Sequence, residues 1–537
     1  MSKTKKKNLS GGGIRLLKHW KKGLFSVIFS RLGIILILLF IQISLIFLVW
    51  MYFDEVMESL SLNGRAVYYI VSITFLIISL LILFNSPMDS AAKLAWMLLI
   101  AVFPLFGTIF YIWTQVEMGH RSIKHKLNML EKKSLKSLKQ NTEVYKNLLN
   151  ISPESGALSK YLFEIGNAPV YTNTETKYFP IGEDSFPYMC EAIEKAEKFI
   201  FIEYFIIEEG YMWGTILELL ANKVKQGVDV RVMYDGTCEF TTLPYYYPKR
   251  LESLGIKCQM WEPIKPVLTS AYNYRDHRKI LVVDGKSAFC GGVNLADEYI
   301  NHIERFGVWK DTSIMIKGSA VDSFTLMFLQ MWNVKRHDDE DFTAFINLYD
   351  RNIKADGFII PYCDSPLSDQ KIAERVYMDI LYTAKKYVYI MTPYLVLDDE
   401  LTTSLCYAAQ RGVDVRLILP GIPDKKTIWA LSKNHYKRLI KDGVKVYEYT
   451  PGFIHAKTFL SDDNKAIVGS INLDYRSLYH HFECAAYMHD TQCIGDIKKD
   501  FAKTFEQCRE VTFETIKKEK PSIKMTGAVL KLIAPLL

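Results

Sequence analysis

The sequence lacks the cysteine patterns that bind metals or build a disulfide framework. Its nine cysteines are scattered, with no C-x-x-C pair and no cysteine–histidine cluster of metal-binding type. The odd number also argues against a framework of paired disulfides. We therefore expect the cysteines to be small core residues of a protein that works in a reducing compartment.

Long apolar runs are missing from residue 144 onward, but not before it. Residues 32–53 carry no charged side chain, and residues 66–84 form a second such run. About 20 apolar residues are enough to cross the hydrocarbon core of a bilayer. Both runs predict transmembrane helices, because a cleaved signal peptide would begin earlier and be shorter.

Basic charge is concentrated at the N-terminus, not spread over a surface. The net charge is +7, yet residues 1–31 alone hold nine Lys or Arg and no acidic residue, so the rest of the chain is slightly acidic. Beside an apolar run, such an excess orients the chain with its N-terminus in the cytoplasm. Binding to nucleic acid is the weaker interpretation, and we do not expect it.

A third apolar run, residues 94–113, is interrupted by Pro104 and Gly107. The interruption predicts either a kinked span or a re-entrant hairpin. Residues 117–140 hold seven Lys or Arg against two Glu, which favours the cytoplasmic face. Hydropathy alone would count three spans, but charge favours two spans and a re-entrant third segment.

These segments divide the chain into four expected parts, most of it on the cytoplasmic side of the cell membrane. Residues 1–116 are a multi-pass membrane anchor, residues 117–143 a basic linker, and residues 144–345 and 346–537 two α/β domains. The α/β class follows from short β-branched or aromatic runs that alternate with amphipathic stretches after residue 144.

The two α/β domains are predicted to be copies of one another. The heptapeptide GVDVRVM at 227–233 returns as GVDVRLI at 412–418, in each case after a predicted helix. Gly227 and Gly412 supply the helix-ending break. The predicted strands and helices are strand 198–207, helix 213–226 and strand 228–234 in the first copy. In the second copy they are residues 386–396, a strand that runs into a loop, helix 400–410 and strand 413–419.

Four polar residues recur with the duplication, each displaced by 178 positions. They are His277, Lys279, Asp284 and Asn294 in the first copy, and His455, Lys457, Asp462 and Asn472 in the second. Each copy therefore reads H-x-K-x-x-x-x-D. A single copy of this pattern arises by chance in long chains, whereas two copies in register within a repeated frame indicate a functional site.

The histidine and the lysine of each copy are two positions apart, so in a strand they project from the same face. A pseudo-two-fold axis would then bring two histidines, two lysines and two asparagines around one pocket, which suits a phosphodiester. Lysine and asparagine can stabilise the non-bridging oxygens, while one histidine attacks phosphorus and the other protonates the leaving alcohol. This two-step exchange through a phosphohistidine requires no metal and no cofactor.

The paired motifs resemble the phospholipase D superfamily, and the arrangement as a whole is similar to bacterial cardiolipin synthases over nearly the full chain. The residues that follow each motif also match these synthases: Gly291, Gly292, Asn294 and Asp297–Tyr299 after the first, and Gly469, Ser470, Asn472, Asp474, Arg476 and Ser477 after the second. The segment Lys93–Tyr111, with Trp96, Pro104 and Gly107, is similar to the family's N-terminal membrane hairpin.

The resemblance implies two phospholipase D-like domains that share one active site and condense two phosphatidylglycerol molecules into cardiolipin and glycerol. Its catalytic residues would be His277, Lys279, Asp284, His455, Lys457 and Asp462, and its phosphate-binding residues Asn294, Ser470 and Asn472. By family analogy His277 is the nucleophile and His455 the acid and base, although pseudo-symmetry allows the reverse order.

Four carboxylates are expected to support this chemistry without performing it. Asp284 and Asp462 should buttress the strand and the lysine more than touch substrate, and Glu483 and Asp311 are candidates for orienting the histidines. The first copy has Gly292 where the second has Ser470, so a hydroxyl donor is available on one side only.

Other functions remain open at this stage. A phospholipase of the same superfamily would use water in place of the second lipid, a nuclease would need a basic groove that the chain lacks, and a scaffold would not need both motifs. The tyrosines 245–247 are candidates for lining a lipid entrance, and residues 527–537 for an interfacial anchor, with ordinary packing as the alternative for both.

Overall fold

The computed structural model describes residues 62–86, 88–115, 118–263, 273–336, 339–348 and 353–534, with seven isolated positions between 40 and 55. The first predicted transmembrane helix, residues 32–53, lies outside the described residues except for some of those positions. The chain forms two compact units. One comprises the described residues of Ile123–Pro263 and Tyr274–Gly527, and the other the described residues up to Ser122, with Asn273 and residues 528–534.

The smaller unit contains three described helices, α1 (Leu62–Phe84), α2 (Ser90–Val102) and α3 (Pro104–Gln115). The second predicted span, residues 66–84, falls within α1. By length and hydropathy, none of the helices in the described part of the chain qualifies as a membrane span.

The third apolar segment, residues 94–113, is two short helices folded against each other. The break falls at Phe103, directly before Pro104, because proline disfavours a helical residue in front of it. The Trp96 ring lies 5.8 Å from the Phe110 ring and 5.3 Å from the Tyr111 ring. Gly107 allows this approach, since a Cβ there would lie 2.9 Å from Ile100 Cα.

The predicted basic linker, residues 117–143, is mostly helical in the structure. Helix α4 (Met118–Ser137) covers it and is followed by α5 (Thr142–Ile151) and α6 (Pro153–Gly166). The Asn141 side chain caps α5 by accepting from the backbone N–H groups of residues 143 and 144, and Ser152 caps α6 in the same way at residue 155.

The first half of the larger unit is built on a seven-stranded sheet with the order β1-β9-β7-β6-β2-β3-β4. Its strands are β1 (Thr174–Phe179), β2 (Phe199–Tyr204), β3 (Asp229–Asp235), β4 (Lys257–Trp261), β6 (Lys279–Val283), β7 (Ser287–Gly291) and β9 (Ser313–Gly318). Its helices are α7 (Gly182–Glu194), α8 (Tyr211–Lys225), α9 (Cys238–Thr241), α10 (Tyr247–Glu252) and α11 (Val321–Asn333).

The second half repeats this plan in a larger sheet with the order β10-β19-β17-β16-β11-β13-β14-β20. Its strands are β10 (Phe358–Asp364), β11 (Tyr387–Met391), β13 (Asp414–Pro420), β14 (Lys445–Tyr449), β16 (Thr458–Ser461), β17 (Lys465–Gly469), β19 (His481–His489) and β20 (Cys508–Val511). Its helices are α12 (Ile372–Thr383), α13 (Asp399–Gln410), α14 (Lys426–Lys441), α15 (Ile494–Glu506) and α16 (Phe513–Lys518), and α17 (Pro521–Ile533) follows α16 along the chain.

The strand and helix predictions for both copies are confirmed. In each copy a central strand leads through a helix to a parallel neighbouring strand, β2 to β3 and β11 to β13. Gly227 and Gly412 end the two helices with φ of +88° and +91°, a conformation in which a side chain would be strained. The mixed α/β class and the two-domain plan are therefore correct.

Five short strands complete the larger unit. They are β5 (Arg275–Asp276), which pairs with β19, β8 (Val308–Lys310), which pairs with β15 (Gly452–Ile454), and β12 (Leu395–Val396), which pairs with β18 (Leu473–Asp474). The first two pairs join one half to the other. A shared apolar core lies between the halves as well, and contains Phe201 and Val282 of the first sheet with Leu460 and Val468 of the second.

The nine cysteines all lie within the described residues and are free thiols. Cys290 of the first half and Cys484 of the second approach each other across the shared core, with 3.6 Å between their sulfur atoms. This agrees with the expectation that the cysteines pack as small core residues.

Candidate active site

The His277 motif is placed by a strand that pairs with the opposite half. Strand β5 runs parallel to the start of β19, with Arg275 opposite His481 and Asp276 opposite Phe482. The next pair in this register is His277 and Glu483, and the His277 N–H donates to the carbonyl of Phe482 at 2.9 Å. Backbone pairing between the halves therefore delivers Glu483 to His277.

The His455 motif is placed in the same way with the halves exchanged. Strand β15 runs parallel to β8, ending with Ile454 opposite Lys310. The next pair is His455 and Asp311, and the His455 N–H donates to the carbonyl of Lys310 at 2.7 Å. Each histidine thus lies just before β6 or β16, in an extended link, and not within the strand that the motif predicted.

Each histidine is held through Nδ1 by the carboxylate of the other half. His277 Nδ1 lies 2.8 Å from Glu483 Oε1, and His455 Nδ1 lies 2.6 Å from Asp311 Oδ2. Both carboxylates are fully buried. A carboxylate at Nδ1 favours the proton on that nitrogen, which leaves Nε2 as the ring nitrogen for a substrate. The two orienting carboxylates suggested by the sequence are in contact with the histidines.

The two motif lysines lie beside their histidines and are buried. Lys279 Nζ donates to the carbonyl of His277 at 2.5 Å, and Lys457 Nζ donates to the carbonyl of His455. Burial lowers the pKa of Lys279 to about 8, against the opposing effect of Glu483. Burial lowers the pKa of Lys457 to about 7, opposed by Asp311. An anionic substrate would restore their full charge, since opposite charge favours the protonated form.

Both imidazoles are buried in a cationic environment that favours their neutral form. Burial and then Lys279 hold the pKa of His277 well below its usual range. Burial and then Lys457 lower the pKa of His455 to about 4, in spite of Asp311. A neutral imidazole has the lone pair that a nucleophile needs.

Asp284 and Asp462 lie at the opposite end of their strands from the histidines. Asp284 accepts from the backbone N–H groups of residues 197, 198 and 199, and Asp462 from those of residues 385, 386 and 387. They therefore fix the start of β2 and β11, beyond the far ends of β6 and β16 from the histidines. The expectation that they buttress the strand is correct, whereas no hydrogen bond or ion pair to Lys279 or Lys457 is present within the described residues.

The comparisons with known proteins agree with this geometry. The family model described as "Cardiolipin synthase, PLD-like domain" matches residues 189–332 and 377–508, which contain both motifs. A cardiolipin synthase of Halalkalibacterium halodurans is 30% identical over 87% of this chain and 93% of its own length. This chain belongs to the cardiolipin synthase family.

Two further relatives extend the comparison. An uncharacterized protein of Streptococcus mutans serotype c is 54% identical over 86% of this chain and 99% of its own length. The crystal structure of phosphatidylserine synthase from Haemophilus influenzae Rd KW20 has a TM-score of 0.54 and 15% identity, and covers 71% of this chain and 98% of that one. The structural likeness shows that the fold is shared.

The three residues predicted to bind phosphate differ in how many of their side-chain hydrogen-bonding atoms are already used within the protein. Asn294 accepts from the Ile206 N–H at 3.0 Å and donates to the Tyr299 hydroxyl at 2.9 Å, so its amide supports the loop before β8. Asn472 Oδ1 is buried, and no hydrogen bond to it is present among the described residues. Asn472 therefore keeps polar capacity for a ligand, whereas Asn294 has little.

Ser470 was predicted to bind phosphate, but in the structure its hydroxyl is hydrogen-bonded to Glu483. Its hydroxyl donates to Glu483 Oε2 at 2.5 Å and accepts from the Cys484 N–H at 3.1 Å. Burial raises the pKa of Glu483, while Lys279 and the Ser470 hydroxyl oppose that effect. Ser470 thus holds the carboxylate that holds His277, and it has no free O–H for phosphate.

The Gly292 and Ser470 asymmetry has a steric cause in this family member. A Cβ at position 292 would lie 2.1 Å from Asp311 Oδ1. Asp311 occupies that space and takes its support from the Thr312 N–H at 2.9 Å, where Glu483 uses a serine hydroxyl. The shorter carboxylate therefore requires glycine, and the longer one is paired with serine.

One residue of the site was missed by the sequence analysis. His481 is buried, and its ring centroid lies 5.1 Å from that of His277. It is the first residue of β19, two positions before Glu483, so both side chains project from the same face of the strand. His481 and Glu483 form an H-x-E spacing that resembles the H-x-K of the motifs, and this spacing was the sequence feature that could have indicated His481.

Proposed function

We propose that this chain transfers the phosphatidyl group of one phosphatidylglycerol to the free hydroxyl of a second, producing cardiolipin and glycerol. The proposal rests on one observation, the two histidines that are each held at Nδ1 by a carboxylate of the opposite half. Family membership supports a phosphatidyltransferase that acts on phospholipid. That both substrates are phosphatidylglycerol is part of this proposal.

In the first step His277 Nε2 attacks the phosphorus of the donor lipid. A P–N bond forms, the P–O bond to glycerol breaks, and His455 gives a proton to the departing glycerol oxygen. The negative charge of the bound phosphodiester raises the pKa of His455 from its low value, so the proton is present when the substrate is. Glu483 stabilises the positive charge that develops on His277.

In the second step the acceptor lipid replaces glycerol. Its free hydroxyl passes a proton to His455, its oxygen forms a P–O bond, and the P–N bond to His277 breaks. In this proposal Lys279 and Lys457, with Asn472, stabilise the non-bridging oxygens in both steps. Because the two halves are related by duplication, the assignment of nucleophile and acid is a proposal and has a direct test below.

Membrane location is part of the proposal, with a multi-pass anchor in residues 1–116 and the catalytic unit on the cytoplasmic side. Exposed apolar side chains near the site support an approach from lipid. Tyr245 and Tyr246 are 48% and 56% exposed. A few residues before them, Cys238 Sγ and the Thr242 hydroxyl donate to the carbonyls of Phe205 and Ile207, and the Phe205 ring lies 4.8 Å from that of His277. Lys249 Nζ lies 5.2 Å from the Tyr246 ring and adds positive charge for anionic lipid.

The site has a second exposed apolar pair near the other histidine. Val308 is 41% exposed and Ile422 is 39% exposed. Val308 is opposite Gly452 at the start of β15, which leads to His455, and the Ile422 N–H donates to the Gly452 carbonyl at 3.3 Å. Tyr247, the third tyrosine of the run, is instead fully buried, so packing is the correct interpretation for that one residue.

The test uses the full-length protein in detergent with phosphatidylglycerol as the sole lipid and a chelator present. Mass spectrometry should find cardiolipin and glycerol in equal amounts. Phosphatidic acid without cardiolipin would make the chain a hydrolase, and no product would contradict the proposal. His277→Ala and His455→Ala should each abolish turnover, while His125→Ala, an exposed histidine on α4, should not.

The same preparation identifies the nucleophile. A donor lipid that carries a p-nitrophenolate leaving group needs no proton from His455, so His455→Ala should still form a phosphatidyl adduct on His277. The adduct should persist, because no base activates the acceptor, and mass spectrometry of the denatured protein should find it. An adduct on His455 in the His277→Ala variant would reverse the assignment.

A further inference from the structure

His277, His481 and Glu483 form a compact group of three potential metal ligands. One ligand atom from each lies within 4.8 Å of the other two. The three residues are 5%, 7% and 0% exposed. The sequence does not connect all three residues by a short spacing, because His277 comes from the first half and the other two from β19.

The His481 side chain is the second observation that points to a ligand. Within the described residues its Nδ1 makes no hydrogen bond, although the residue is more than nine-tenths buried. This nitrogen lies 3.5 Å from Glu483 Oε1, the oxygen that is also 2.8 Å from His277 Nδ1. A buried imidazole nitrogen without a hydrogen bond costs free energy, and an ion between these three atoms would remove that cost.

The donor set and its spacing suit zinc. Two imidazoles and one carboxylate are a common zinc set, with metal–ligand bonds of about 2.0–2.2 Å and a fourth position left open. Tetrahedral bonds of that length separate neighbouring ligand atoms by about 3.4 Å. The His481 Nδ1 contact to Glu483 Oε1, at 3.5 Å, already has about this length, and the His277 Nδ1 contact, at 2.8 Å, would open by about half an ångström. The two histidine ligand atoms lie within 4.8 Å of each other and would have to approach to this length.

We propose that His277, His481 and Glu483 bind a zinc ion that inhibits the enzyme reversibly. The reason is the tautomer of His277. In the working state Nδ1 carries the proton and Nε2 the lone pair, whereas coordination through Nδ1 moves the proton to Nε2. No proton is gained or lost by the ring, but the nitrogen that attacks phosphorus is no longer a nucleophile. The metal also withdraws Glu483 from its orienting role.

The cationic surroundings make the site selective. Lys279, Lys457 and Arg275 lie close enough to act electrostatically on this group. Hard cations such as Mg²⁺ and Ca²⁺ prefer oxygen ligands and would gain too little from two imidazoles to overcome that repulsion. Zinc forms strong bonds to imidazole nitrogen, so it is the ion that we expect to enter.

The inhibition test rests on the proposed transferase activity. Chelator-treated full-length protein is titrated with ZnCl₂ while cardiolipin formation is followed, and each variant is compared with its own metal-free rate. Wild type should lose activity and recover it with excess chelator, and the same concentration of MgCl₂ should have no effect. His481→Asn should need about tenfold more zinc or more, because one of three ligands is lost. His480→Asn, the neighbouring histidine, should behave as wild type.

A binding measurement does not depend on activity. Competition with a chromogenic zinc chelator should give one tightly bound ion per chain in wild type and His480→Asn, and none in His481→Asn. Equal zinc sensitivity or equal zinc binding in His481→Asn and wild type would overturn the proposal. Loss of activity on chelation that zinc restores would overturn it too, since the ion would then be required. If wild type makes no cardiolipin, the transferase proposal fails and the binding result alone decides the zinc site.

Discussion

Replacing Gly292 by alanine should greatly lower the rate of cardiolipin formation, although neither histidine is changed. The added Cβ would lie 2.1 Å from Asp311 Oδ1 and 3.1 Å from Oδ2. Ordinary van der Waals contacts are near 3.4 Å, so the carboxylate must retreat by about 1 Å. The Asp311 carboxylate cannot move this far and keep its contacts, because Oδ2 contacts His455 Nδ1 at 2.6 Å and Oδ1 accepts from the Thr312 N–H.

The size of the effect follows from which contacts are lost. A displacement of about 1 Å in a catalytic group costs roughly 10²-fold in rate. His455 would lose its orienting carboxylate and with it the stabilisation of its protonated form, so kcat should fall more than KM rises. The displaced buried carboxylate should also lower the free energy of unfolding by about 1–3 kcal/mol.

The assay is steady-state cardiolipin formation, with thermal unfolding to measure stability. Gly495→Ala is the matched control, because a Cβ at that position on α15 meets nothing within 4 Å. Ser470→Gly, which removes one hydrogen bond from Glu483, should cost roughly tenfold in rate and make the two halves alike. Turnover by Gly292→Ala within about threefold of wild type would refute the steric explanation of the asymmetry.

Three further predictions concern other parts of the structure. Asp462→Asn should lower the free energy of unfolding by about 1–3 kcal/mol in denaturant titrations, with near-normal kcat per folded molecule, since it caps a strand; an unchanged stability would contradict this. Burial raises the pKa of Glu374 to about 9 from 4.5, so its stabilising contribution is lost as pH rises between those values. Glu374→Gln should therefore flatten the fall in melting temperature between about pH 6 and 9, and an unchanged slope would contradict this. Changing Tyr245 and Tyr246 to serine should slow turnover several-fold on phosphatidylglycerol vesicles but not on a short-chain monomeric analogue, whereas Tyr407→Ser, equally exposed, should do neither.

The repeated α/β frame could be predicted because its signals are local. Strand β3 and strand β13 are marked by the same alternation of valine with polar residues, and Gly227 and Gly412 end the preceding helices. The two H-x-K-x-x-x-x-D patterns located both histidines because duplication preserves spacing. The third apolar segment also carried its own signal, in Pro104 and Gly107, for a break that the structure places at Phe103.

The parts that were missed depend on contacts between distant segments. Nothing in the sequence around Ser470 says that its hydroxyl faces Glu483 and not a phosphate. The same holds for Asn294, whose amide is used by Ile206 and Tyr299. The strand that should carry His277 is interrupted at that residue because β5 pairs with the opposite half, and periodicity within one segment cannot reveal such an exchange.

The exchange of strands explains why two copies of one motif make a single site. In each half the motif histidine and lysine lie on the same chain segment, whereas the carboxylate that orients the histidine comes from the other half. Asp311 of the first half contacts His455, and Glu483 of the second half contacts His277. Strand pairing brings each carboxylate to the histidine of the other half. Strand β8 pairs with β15 immediately before Asp311 and His455, and β5 pairs with β19 immediately before His277 and Glu483. A half that separated would therefore lose the hydrogen bond at its own Nδ1 as well as the second histidine. Selection on either histidine acts on both halves at once, which is a physical reason for the duplicated frame to have stayed in one chain.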